Sequence, residues 1–185
     1  MRKEDITKIA NELRRRCGTL DPYALCRLLD IRVVPIAMGL TKDSIKGFIQ
    51  KNNRCYCIVV NSDLDEMQQE FIIYHEVGHM ALAHLQGLVC AFRDNYVYDN
   101  SDVLENEANL FVAEFLLDTE ETLDLIRDGR SFFEVASLMR VTPEILDFKW
   151  RMLQYYKRIQ VASPVRYNSD CMKKLTSGLV GDDYA

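Results

Sequence analysis

The chain has 185 residues, 48% apolar and 28% charged, a balance that suits a globular domain able to bury a core without staples, with length to spare for a small appended lobe. A net charge of −5 argues against wholesale coating of nucleic acid, although the chain from Asp94 to Asp128 is acidic, with eleven carboxylates, Arg127 inside it and Arg93 at its margin. No apolar run is long enough to span a membrane, the start MRKEDITKIANELRRRC is unlike a secretory leader, and six scattered cysteines without a C-x-x-C pair point to reduced thiols in the cytoplasm.

Ile6, Ile9, Ala10, Leu13 and Cys17 fall at helical spacing, with Gly18 placed to end the helix. Asp21-Pro22 opens a second, short helix through about Asp30, as an N-cap followed by proline at the first helical position. IRVVPI, residues 31–36, reads as a strand whose proline favours a sheet edge. Residues 47–50 and 55–60 read as two further strands joined by the polar turn KNNR. Cys55 and Cys57 share one face of the latter strand and are expected to be buried thiols. The expected fold class is α+β, with a small antiparallel sheet of about three strands packed on helices.

Asn61-Ser62 ends the third strand and offers a cap for the next helix. That helix is predicted from about Leu64 to Leu85, apolar on most sides and hence buried. Gly87 breaks it. A loop from Val89 to Asp102 precedes a long helix over Val103–Leu117. Further helices are predicted at Thr119–Asp128, Ser131–Met139 and Pro143 to about Ile159. These elements divide into a core over 1–130, a helical lobe over 131–160 and a tail over 161–185.

The buried helix contains YHEVGHMALAH, residues 74–84. Residues four apart share a helix face, with Cβ atoms about 5–6 Å apart, so His75 and His79 can reach one ion. Glu76 stands a hundred degrees round the helix, beside such an ion, where it can take a proton from an attacking water. The competing explanation is a pair of satisfied core histidines. Gly78 would let another backbone approach closely.

A catalytic zinc needs a third protein ligand, and LENEANLFVAEFLL, residues 104–117, supplies candidates. Its apolar face is Leu104, Ala108, Phe111 and Phe115. Glu105, Asn109 and Val112 border that face, whereas Glu107, Glu114 and Asp118 are predicted to face water. Glu105 is therefore the preferred ligand and Glu107 its rival. Asn109, one turn beyond Glu105, can accept the second N–H of a ligating histidine and orient its ring.

HEVGH followed by ENEANLFVAEFLL resembles the ImmA/IrrE family of metallopeptidases, as does the preceding VNSDLDEMQQEFIIY; the similarity covers about residues 31–160. The resemblance implies a zincin-like core with a gluzincin-type site: His75 and His79 as ligands, Glu76 as the catalytic carboxylate and a third ligand on the second helix. In such sites that glutamate precedes a hydrogen-bonding Asp or Asn by four residues, a spacing that Glu105 and Asn109 match and Glu107 does not. One departure is Asp118-Thr119, where family members often carry Met-Pro after the Leu-Leu pair.

His84 lies five residues past His79, about 140° further round a continuing helix, so a structural or surface role is expected for it. Tyr96 and Tyr98 sit in the loop before the second metal helix, where a phenol could bond an oxyanion but packing is the expected role; Cys90 of the same loop could be a ligand but is expected to be a buried or surface thiol. Phe148, Trp150 and Tyr155 are expected in the core. SFFEVASLMRVTPEILDFKWRML has a helix-turn-helix outline, but Glu144 and Asp147 open its second helix, which argues against direct DNA reading.

The whole predicts a zinc-dependent endopeptidase, with manganese as the other metal. The resemblance implies a protein substrate, a DNA-binding repressor of a mobile element or stress response. The alternative is a non-catalytic regulator that binds a repressor or DNA through the same scaffold.

Overall fold

The computed structural model describes residues 1–41, 44–52, 55–85 and 101–165. The elements in chain order are α1 (Lys3–Cys17), α2 (Pro22–Leu28), β1 (Ile31–Ile36), β2 (Gly47–Asn52), β3 (Cys55–Asn61), α3 (Glu66–Ala81), α4 (Ser101–Leu116), α5 (Thr119–Arg127), α6 (Phe132–Leu138) and α7 (Pro143–Tyr155). The fold is α+β, as the sequence predicts.

The helix signals act where the sequence places them. Gly18 adopts φ 62° and donates its N–H to the Arg14 carbonyl. The Asp21 carboxylate accepts from the Tyr23 and Ala24 N–H groups, with Pro22 beginning α2. Ser131 and Glu134 form a reciprocal capping box on α6. The departure at Asp118 is also a cap: its carboxylate accepts from the N–H groups of Glu120 and Glu121 at the start of α5.

The sheet differs from the expected antiparallel one. Its order is β1-β3-β2, with β2 antiparallel to β3 but β1 parallel to it. β2 runs against β3 with two residues between them in the chain, and β3 takes the direction of β1 and pairs with it in the centre. Pro35 lies on an edge strand as expected. Cys55 is exposed and Cys57 half-buried, not buried as expected, because burial along β3 begins only at Ile58.

Asn61 does not cap α3. It is buried; its side-chain oxygen accepts from the N–H of Met38 and Asp63, and its amide donates to the carbonyls of Gly39 and Ile45. It thereby pins the β1–β2 connection, and Asp65 caps α3 instead by accepting from the Gln68 N–H.

α4 packs against α1, α3 and α7. One apolar core runs through Ile6 of α1, Leu25 of α2, Ile58 of β3, Val77 of α3, Phe111 of α4 and Phe148 of α7. Trp150 is buried as expected, whereas Tyr155 lies on the surface with its hydroxyl on Glu4. In α7 the run Ile145 to Trp150 is buried without a break. Among the described residues no helix is long and apolar enough to cross a membrane.

Candidate metal centre

Two helices build the site. α3 is buried over every residue from Phe71 to Gly78, which takes His75 and Glu76 out of water. α4 crosses it closely because Gly78 lacks a side chain: a Cβ there would lie 3.0 Å from the Phe111 ring and 3.4 Å from the Ala108 carbonyl oxygen. The close crossing brings the first turns of α4 to the His75–His79 face.

His75, His79 and Glu105 converge, each offering one ligand atom within 4.8 Å of the others. The two Nε2 atoms stand 2.9 Å apart. The Glu105 carboxylate lies 3.1 Å from His75 Nε2 and 3.5 Å from His79 Nε2. His75 is 1% exposed at its side chain, His79 12% and Glu105 41%, so the cluster opens to solvent on the Glu105 side.

Asn109 Oδ1 lies 2.9 Å from His75 Nδ1. An amide oxygen only accepts, so Nδ1 carries the proton and Nε2 of a neutral ring presents its lone pair to the cluster. Two ring nitrogens and a carboxylate facing one another are an electron-rich set that a cation relieves. Two nitrogens and one oxygen also make a donor set that zinc accepts. The residues therefore fit a divalent metal.

The electrostatics follow from burial. Burial, reinforced by His75 and His84 against the pull of Glu105, lowers His79 to about 3, so its ring is neutral at physiological pH. For His75 the downward effect of burial is outweighed by the hydrogen bond to Glu105, the charges of Glu76 and Glu105, and Asn109, and the net shift is upward. Burial raises the Glu76 carboxyl to about 7, opposed by His75, assisted by Glu105 and opposed again by the Ile49 backbone of β2. A carboxyl near neutrality suits proton exchange, and a bound cation would favour its charged form.

Glu107 does not join the cluster, and it is not a surface carboxylate. It is 6% exposed, and its Oε2 lies 3.0 Å from His84 Nε2, while its other oxygen meets the α-amino group of Met1. Glu114 is buried too, paired with Lys149. Helix spacing cannot foresee either partner, because both come from distant parts of the chain. The neighbour of the cluster that the sequence conceals is His84: its Nδ1 stands 3.0 Å from His79 Nδ1. The HExxH pattern carries no signal for it. Tyr96, Tyr98 and Cys90 lie outside the described residues.

Residues 26–151 match the family model of the M78 peptidases, described as the IrrE N-terminal-like domain. The chain belongs to the ImmA/IrrE family. One relative, the "uncharacterized immunity region protein 2" of Bacillus phage phi105, is 30% identical over 128 residues, 64% of this chain and 78% of the relative. Another, "metallopeptidase ImmA" of Bacillus subtilis strain 168, is 28% identical over 137 residues, 71% of this chain and 76% of the relative. The family is one of peptidases, which matches a cluster that fits a metal set beside a buried carboxyl.

Proposed function

We propose that this ImmA/IrrE-family chain is a zinc-dependent endopeptidase of the cytoplasm that cleaves a DNA-binding regulator. The observation that carries this reading is the convergence of His75, His79 and Glu105 with Glu76 on the same helix. In it, His75, His79 and Glu105 hold the metal and Asn109 fixes the tautomer of His75. When bound, zinc would supply Lewis acidity toward a water and a peptide carbonyl.

The chain's own residues divide the remaining work. Glu76, held near neutrality by its burial, takes the proton of the attacking water and returns it to the departing amine. The half-exposed Glu105 side marks where a peptide enters. β2 is an edge strand whose Ile49 backbone faces Glu76, so an extended substrate paired along β2 would bring its backbone to that carboxylate. A regulator is favoured as substrate by the likeness to a phage immunity-region protein and to metallopeptidase ImmA. A basic, DNA-binding protein also suits the acidic chain from Asp94 to Asp128.

The experiment is to incubate the metal-loaded protein with DNA-binding regulators of its own genome and to map new termini by mass spectrometry. Glu76→Gln should keep its metal and lose about 10²–10⁴ in rate, the usual contribution of a general base. Cleavage that survives both this substitution and a chelator would reject the assigned roles. Stable binding of a regulator without any cut would favour the non-catalytic reading.

A further inference from the structure

α3 ends before His84. Leu82 is its C-cap, and Ala83 adopts φ 59°. The His84 N–H then donates to the His79 carbonyl at 2.9 Å. This is the 6→1 bond of a Schellman turn, and it folds the chain back over the last helical turn. His84 therefore leaves the helical screw, and its ring comes to lie edge-on to that of His79, with centroids 5.1 Å apart at 69°.

The protons on this chain of groups can be counted. Glu107 Oε2 stands 3.0 Å from His84 Nε2, with side chains 8% and 6% exposed. A carboxylate only accepts, so His84 Nε2 carries a proton and donates it. In a neutral His84 ring, Nδ1 then bears the lone pair. His79 Nδ1, at 3.0 Å, must be the N–H that fills it. The proton of His79 is thereby committed to Nδ1, and its Nε2 is left bare toward His75 and Glu105.

From this geometry we infer that His84 is a positioning residue for the metal centre, and that Glu107–His84 sets the tautomer and ring orientation of His79. The inference rests on the proposed metal reading. It makes the site two-sided: an amide on α4 orients His75, and an imidazole backed by a buried carboxylate orients His79. It also gives Glu107 a role distinct from that of Glu105, two residues earlier on the same helix. Partners of this kind, one hydrogen bond behind a ligating histidine, typically change metal affinity by about 10–100-fold.

The test compares the full chain with His84→Ala, His84→Asn and Glu107→Gln. Zinc affinity is read by chelator competition, and the visible spectrum of the cobalt(II)-loaded proteins reports on ligand geometry. Nitrogen-15 NMR of the metal-free wild type reads the tautomer of His79 directly and needs no variant. We expect His79 to be protonated at Nδ1. His84→Ala should weaken zinc binding about 10–100-fold and alter the cobalt spectrum. His84→Asn should restore most of the affinity, because its side-chain oxygen can accept from His79 Nδ1. Glu107→Gln, which can still accept from His84, should cost less than His84→Ala. A His79 proton found on Nε2, unchanged zinc affinity in folded His84→Ala, or no rescue by folded His84→Asn would each overturn the relay while leaving the metal site in place. Failure of the wild type to bind zinc at all would instead remove the metal reading, and the relay with it.

Discussion

Ala83 is exposed and holds a left-handed backbone, φ 59°, without being glycine. Such a conformation costs an L-residue about 1–2 kcal/mol, and here it lets the chain fold back at the end of α3. Ala83→Gly removes that strain, partly offset by the greater freedom glycine gives the unfolded chain. The expected net gain is up to about 1 kcal/mol, or a rise in melting temperature of roughly 2–4 °C for a domain this size. A lower melting temperature would mean that the turn does not strain Ala83. The same residue shows why the direction of the His84 ring is misread from sequence, although His84 stays outside the ligand cluster as expected. Extending the helix by arithmetic places residue 84 away from His79, but the helix stops at Ala81 and the reversal brings the ring back. His75, Glu76, His79, Glu105 and Asn109 are legible because each lies inside a helix, where spacing does fix direction.

The elements themselves were readable for a similar reason. Caps and apolar spacing are local, and Asp21, Asp118 and Ser131 all cap helices that the sequence marks out. What joins the elements is not local. The Lys149 ammonium of α7 reaches Glu114 of α4 at 2.9 Å and the Thr119 hydroxyl at 2.8 Å, with the charged side chains 1% and 2% exposed. Thirty-five residues separate the two charges, and nothing in the spacing of α4 announces the partner. Lys149→Met would leave a carboxylate buried alone and should cost about 3–5 kcal/mol. Replacing both residues, as Glu114→Met with Lys149→Met, should recover most of that loss. Urea unfolding reads both variants; equal stability of the single variant and the wild type would mean that the pair is not sealed from water. A damaged pair also reaches the site, because α4 carries Glu105, Glu107 and Asn109 as well as Glu114.

At the scale of the whole molecule, the proposed ion would tie α3 to α4, two helices that pack against each other in the core. A ligand that binds only the folded chain stabilises it in proportion to the logarithm of its concentration. At a hundred times its dissociation constant the gain is about 2.7 kcal/mol, and the melting temperature should rise by roughly 5–10 °C. Differential scanning calorimetry with and without zinc measures this, with His75→Ala as the control that should not respond. A wild-type melting temperature indifferent to zinc would argue against a metal bridge between the helices. The sheet marks the limit of sequence reading at this scale. Each of the three strands is visible in the sequence, but the parallel pairing of β1 with β3 depends on which of β2 and β3 lies in the centre, and local spacing carries no signal for that order.

Gly47, at the start of β2, carries that packing into the chemistry. A Cβ there would meet Ile72 Cγ2 at 2.4 Å and the Val59 carbonyl oxygen at 2.9 Å. Neither gives way easily: Ile72 is buried and β-branched, which leaves its Cγ2 little freedom, and the carbonyl is fixed in β3. Even the smallest methyl would therefore press β2 away from both α3 and β3, and two residues further along the same strand is Ile49, whose main chain faces Glu76. How firmly the Glu76 carboxyl keeps its proton is thus tied to a hydrogen atom in the sheet, at a position with no chemistry of its own.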